Sequence, residues 1–155
     1  MQLLSFSFFI LSLVSCVRTI DSDPPAEEIE LAKVLSVSVS GDENAYRFNV
    51  EVESPDLGCN QYADWWEVIT EDGELVYRRI LAHSHVNEQP FKRSGGSIQI
   101  TAEQVVFIRA HMNNLGYGKE IVRGSVTTGF ERSLLVTDFA KALEMEEPLP
   151  KDCAF

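Results

Sequence analysis

Residues 64–91 read DWWEVITEDGELVYRRILAHSHVNEQPF, and the alternation around Asp72-Gly73 decides the fold class. Apolar and β-branched residues alternate with polar ones on both sides of that dipeptide. Asp-Gly supplies the positive φ of a two-residue type I′ turn, so the stretch predicts a β-hairpin. The turn sets a register in which Thr70 faces Leu75, Ile69 faces Val76, Val68 faces Tyr77, Glu67 faces Arg78, Trp66 faces Arg79 and Trp65 faces Ile80. One face then carries Trp66, Val68 and Tyr77. The other carries Trp65, Ile69, Val76 and Ile80 around a Glu67–Arg78 cross-strand pair. Beyond the hairpin come His83, Ser84, His85 and Glu88.

Upstream, Leu35–Val39 alternates cleanly and Gly41–Asn44 is a turn. Tyr46, Phe48, Val50 and Val52 mark a second strand. Residues 54–63 form a loop. Downstream, residues 83–96 read as a long loop broken by Pro90 and Gly95-Gly96. Short strands follow over Ser97–Ile100, Gln104–Met112 and Lys119–Thr128, with a turn cluster over Asn113–Gly118. In chain order these are strands A, B, C, C′, E, F and G. They predict a mainly β, seven-stranded antiparallel Ig-like sandwich over residues 32–130. Residues 131–155 read as an added C-terminal helix and tail packed on the sandwich. Leu135, Phe139 and Leu143 fall at i, i+4 and i+8, and Pro148 is the stop. The apolar face that carries Trp65, together with Phe107, needs cover. The helix is expected to lie on part of it, or else against one end of the sandwich.

Residues 1–16 stand apart from this pattern. Leu3–Val14 is almost purely apolar but too short to span a bilayer as a helix, and reads as a secretory signal. Residues 17–31 are polar and acidic and include Pro24-Pro25, the composition of a tether. The formal charge of −11 argues against nucleic acid and against electrostatic binding to an anionic lipid surface.

Two resemblances rest on short motifs. Leu13-Val14-Ser15-Cys16 resembles the lipobox of bacterial lipoproteins, in which the cysteine is lipidated and begins the mature chain. The MQLLSF start departs from that pattern in having no Lys or Arg. The resemblance implies export, anchoring at Cys16 and, with Val17 rather than Asp behind the cysteine, an outer-membrane destination. Ordinary signal cleavage near Cys16, giving a soluble periplasmic or secreted protein, is the alternative. Separately, Ile108–Asn113 followed by Gly116-Tyr117-Gly118 resembles the F–G hairpin of fibronectin type III domains, without the tyrosine that family carries early in strand F.

Antiparallel strand counting brings His83, His85 and His111 to one end of the sandwich, with Asp64, Glu88 and the B–C loop bearing Cys59. Neutral imidazoles with a carboxylate suit zinc or copper, so His83, His85, His111 and Glu88 are a candidate metal set. The competing reading is that these histidines satisfy loop carbonyls and carboxylates. Arg78, Arg79, Arg109 and Arg123 form either an anion-recognition surface or a set of stems covering apolar sheet, with Arg79 over Trp66. Trp65 and Trp66, with Tyr62 and Tyr117, offer sugar stacking or core packing; Trp66 is placed in the core. Ser84 sits between two histidines, and Asp64 and Glu88 make a possible carboxylate pair. No nucleophile elbow or Gly-rich phosphate loop is present, so a hydrolase is the least supported function. A non-catalytic binding or scaffold module on a membrane-anchored envelope protein comes first, with an unknown protein or small molecule as ligand. A metal-binding protein comes second.

Cys59 and Cys153 remain once Cys16 is set aside. Cys59 lies at the histidine end. Strand G leaves that end, and a helix of ~13 residues at 1.5 Å rise runs back roughly 20 Å. Cys153 is therefore expected beside Cys59, bridged in an oxidising compartment.

Overall fold

The computed structural model describes residues 29–154; Cys16, the stretch read as a signal and most of that read as a tether lie outside the described residues. Within them the chain is mainly β, with nine strands in two antiparallel sheets. Strands β1 (Lys33–Ser40), β2 (Tyr46–Glu53) and β5 (Phe91–Ile98) form the smaller sheet in the order β1-β2-β5. Strands β3 (Ala63–Thr70), β4 (Leu75–Ile80), β6 (Val106–Met112), β8 (Glu120–Ser125) and β9 (Gly129–Leu134) form the larger in the order β4-β3-β6-β8-β9. The short β7 (Gly116–Tyr117) pairs with β6.

Alternation builds the core as read from sequence. Phe48, Val50 and Val52 of β2 meet Trp66 and Val68 of β3 and Ile108 and Ala110 of β6 between the sheets. One margin is tied by Arg79, which donates from Nε to the Ser94 carbonyl at 3.1 Å. The other is tied by Arg132, which donates to the Leu35 carbonyl.

The hairpin differs from expectation at its tip and agrees at its base. The turn is a three-residue loop: Gly73 N donates to Thr70 O, Thr70 N donates to Glu74 O, and Gly73 has φ +86°. That loop shifts the register by one, pairing Ile69 with Leu75. A second irregularity between Val68 and Ile69 shifts it back, so Val68–Tyr77, Glu67–Arg78, Trp66–Arg79 and Trp65–Ile80 pair as expected. Without the compensating bulge every inward side chain of one strand would face outward.

Four expectations are corrected. The strand count is nine among the described residues, not seven. The strand read as Ser97–Ile100 is β5, Phe91–Ile98, so the loop after His83 ends at Pro90; the strand read as Lys119–Thr128 is the shorter β8, Glu120–Ser125, and the turn cluster before it holds β7. The helix expected over residues 133–147 is replaced. Residues to Leu134 continue as β9, and the only helical turn among the described residues is a 3-10 helix, Lys141–Met145. Residues 135–153 instead cross the outer face of the larger sheet as a strap. The amphipathic spacing marked a segment with one buried face, and that segment covers the expected surface in a different conformation.

Candidate functional site

Strand β3 is buried on both sides along almost its whole length. Its inner side chains enter the core, and its outer ones lie under the strap. The central outer residue is Glu67, fully buried. Strand register places Arg78 of β4 opposite Glu67 on one side and Arg109 of β6 opposite it on the other. Arg78 donates to Glu67 Oε2 from Nε at 2.8 Å and from Nη2 at 2.6 Å. Arg109 donates from Nε to Oε1 at 2.8 Å. All three side chains are within 1% of complete burial.

One carboxylate does not satisfy two guanidinium forks, and the remaining donors go to the strap's main chain. Arg78 donates to the carbonyls of Leu143 at 2.7 Å, Glu146 at 2.5 Å and Pro148 at 3.2 Å. Arg109 donates to those of Phe139 at 2.5 Å and Ala140 at 3.2 Å. Carbonyls 139, 140 and 143 accept from buried cations, bonds roughly twice as strong as neutral ones, and those of 140 and 143 also accept from Leu143 N and Glu146 N three residues on, the spacing of the 3-10 turn rather than of an α-helix.

Beside the triad, His111 Nδ1 lies 2.7 Å from Asp64 Oδ1, and its Nε2 lies 3.8 Å from Glu144 of the strap. Its ring stacks on Trp65 with centroids 3.6 Å apart and planes 6° from parallel. The Arg78 guanidinium lies over the Trp65 ring at 4.5 Å, and that of Arg109 over the Tyr117 ring at 3.4 Å. Burial pushes the Asp64 carboxyl up from its ordinary range, opposed by the bond to His111. Burial, reinforced by the Glu67 carboxylate, pushes the Tyr117 phenol up.

The loops at this end form a second polar centre, organised by Asp56. Its Oδ1 accepts from Ser54 Oγ at 2.6 Å and from Ala63 N at 3.0 Å, and its Oδ2 accepts from His85 N at 2.7 Å. One carboxylate thus joins the β2–β3 loop, the start of β3 and the β4–β5 loop. The His85 ring is buried and stacks on Phe91 at 3.8 Å, and neither ring nitrogen has a hydrogen-bond partner. Burial lowers its affinity for a proton, with Arg93 and His83 adding to the effect and Asp56 and Glu88 opposing it.

The expected site residues divide between the two centres. Asp64, His111 and the β4–β5 loop do lie at one end, joined there by Leu81 N donating to Asp64 O and Asn113 Nδ2 donating to Cys59 O. His83 and His85 are neighbours, with ring centroids 4.6 Å apart. His111 lies instead under the strap on Trp65, and Glu88 is held by Arg93 at 2.8 Å and 3.0 Å. Among the described residues no group of three or more His, Cys, Asp or Glu stands in a position to hold a metal ion. Asp64 and Glu88 are likewise claimed by different partners. Trp65, Tyr62 and Tyr117 are buried and offer no stacking platform to a sugar. Ser84 Oγ accepts from Gly58 N at 3.2 Å. Arg123 pairs with Glu71 at the hairpin tip. Cys59 and Cys153 form a disulfide with Cα atoms 5.6 Å apart, and Ala154 N donates to Ala82 O beyond it. Asp56 was missed in the sequence; a lone Asp in a loop with Pro and Gly carries no signal beyond a turn.

A protein of Halomicrobium mukohataei named "Putative lipoprotein" is 30% identical over 121 residues, which make up 77% of this chain and 60% of that protein. The chain therefore covers less than two thirds of that relative's length. No family model matches the chain, and no solved structure matches it significantly.

Proposed function

We propose that the chain is an exported protein, carried on a membrane by a lipid on Cys16, whose β domain is a non-catalytic Ig-like binding or scaffold module. The allocation of cysteines carries this reading. The chain has three, and Cys59 and Cys153 are spent on each other, which leaves Cys16 for a lipid and fits an oxidising compartment. The name of the Halomicrobium relative supports the anchor. The strand order supports the Ig-like reading: β1-β2-β5 correspond to A-B-E and β4-β3-β6-β8 to C′-C-F-G, with β9 an addition. An outer-membrane destination rests on Val17 alone. Fractionation tests the anchor. Wild-type protein should partition with membranes and give an acylated N-terminal peptide beginning at Cys16, and Cys16→Ser should leave the membrane. Recovery of soluble wild-type protein without an acyl group overturns it.

The metal-binding reading now rests on His83 and His85, whose rings adjoin and the second of which has no hydrogen-bond partner on either nitrogen, with Asp56 Oδ2 3.9 Å from its Nδ1. Titration of untagged protein with zinc and copper tests it; stoichiometric uptake lost in His85→Phe sustains it, and no uptake removes it.

A further inference from the structure

The strap is held by its main chain more than by its side chains. Five guanidinium bonds seize its carbonyls, whereas Leu143 is its one buried apolar side chain. Its own backbone bonds are local turns, such as Phe139 N to Val136 O and Leu143 N to Ala140 O. The far end is fixed by Cys59–Cys153. The near end leaves β9 through an exposed link, residues 136–138, flanked by Leu134. Leu134, Val136 and Met145 are 72%, 73% and 84% exposed, half of the exposed large apolar residues of the described chain.

We propose that this seat accepts the strap of a second copy of the chain. Opening Cys59–Cys153 then permits reciprocal strap exchange, and reoxidation closes a two-fold dimer with two Cys59–Cys153 bridges, each running between copies. A second copy is the occupant because the seat is seen filled by this very sequence, so exchange restores every contact between strap and seat and gives up only the turn bonds of the link. The only new surface is at the link. Straightening residues 136–138 lays the two links side by side and covers Leu134 and Val136, a closed arrangement in which each subunit gives what it receives. The chemistry balances. A dithiol reductant gives two electrons and two protons to each disulfide, yielding two thiols and an oxidised reductant. On reoxidation each bridge returns two electrons and two protons to one glutathione disulfide, which becomes two glutathione thiols. The proposal stands apart from the lipid anchor and holds for a soluble or a tethered chain.

Isotope mixing tests it. Full chain labelled with ¹⁵N and unlabelled chain are combined in equal amounts, reduced with dithiothreitol, reoxidised with glutathione disulfide and digested without reductant. Complete exchange gives about half of the dimer's Cys59–Cys153 peptides with one heavy and one light half, by random pairing of copies. Mixing without reductant gives none. Only all-heavy and all-light pairs after reduction would overturn the proposal, as would Cys59–Cys59 bridges in comparable yield, the mark of unseated thiols colliding. Leu134→Ser with Val136→Ser, which removes the apolar surface that the two links cover only in the exchanged dimer, should lower the hybrid yield several-fold; an unchanged yield in the folded variant overturns the proposal. If that variant does not fold, the wild-type result alone decides.

Discussion

Replacing Glu67 by Gln removes one charge and about one atom's worth of chemistry from the most buried polar site in the domain. Glu67 Oε2 accepts two bonds from Arg78 and Oε1 one from Arg109. Gln keeps one carbonyl oxygen and turns the other end into an NH₂ group pointing at guanidinium donors. Two cations are then fully buried without an anion, neutralised only by carbonyl dipoles of the strap. Removing one partner of a buried ion pair costs ~3–5 kcal/mol, most of it the penalty of the charge left behind. For a domain of this size that corresponds to a fall in Tm of roughly 10–20 °C. Guanidinium denaturation of the oxidised protein, followed by tryptophan emission and circular dichroism together, measures it. The midpoint should fall with an unchanged slope. A loss below about 1 kcal/mol would refute the reasoning, because it would mean that the five strap carbonyls suffice for both cations.

His85 is buried with its proton affinity lowered from the ordinary histidine value of about 6.5, so the unfolded chain binds the extra proton more readily than the folded one. Stability should therefore hold above pH 6.5 and decline as pH falls below it, and His85→Phe should flatten that slope; parallel curves for the two proteins count against the buried ring as its source. A Cβ on Gly118 would stand 1.7 Å from the Ala32 carbonyl oxygen, whereas one on Gly58 meets nothing but sits at φ +112°. Gly118→Ala should thus fail to fold or lose more than ~3 kcal/mol, and Gly58→Ala should lose about 1 kcal/mol of backbone strain, ranked by thermal unfolding. The Cys59–Cys153 bridge joins residues 94 apart in sequence. The Cys59→Ser, Cys153→Ser protein should lose up to ~4–5 kcal/mol by the chain-entropy model, and a loss under about 1 kcal/mol would show that the bridge restrains the unfolded chain little.

Legibility followed the physical signal each segment carried. The hairpin base and the strands of the core were readable because one buried face imposes a period of two. Its tip was not, since Asp-Gly serves a two-residue turn and a three-residue loop with a positive-φ glycine equally well, and two shifts cancel downstream. Strand β5, FKRSGGSI, escaped because it carries Lys, Arg, Ser and Gly where strands ordinarily carry β-branched residues. Gly95 is required there by contact rather than by turn geometry: an added Cβ would fall 2.7 Å from Tyr77 and 2.8 Å from Trp66. The Cys59–Cys153 bridge was anticipated through a returning helix; the chain does return, but extended and with one 3-10 turn.

The charge row explains why the strap took that form. Glu67–Arg78 was visible in the hairpin register, but Arg109 joins it only when β3 is set beside β6, a pairing that hairpin spacing alone does not dictate. With three strands in register the outer face reads Arg, Glu, Arg, a row of net charge +1 in which donors outnumber acceptors. Such a row under an apolar helix face would meet side chains rather than acceptors and leave guanidinium N–H groups unsatisfied. The strap turns its main chain toward the row, and residues 139–148 give five carbonyls, two of which also accept a 3-10 backbone bond. The arginines read from sequence as either anion recognition or structural cover do both at once: they recognise oxygen, and the oxygen belongs to the chain's own cover. A site built to hold main-chain carbonyls in this arrangement does not distinguish which copy supplies them, which is what strap exchange between copies requires.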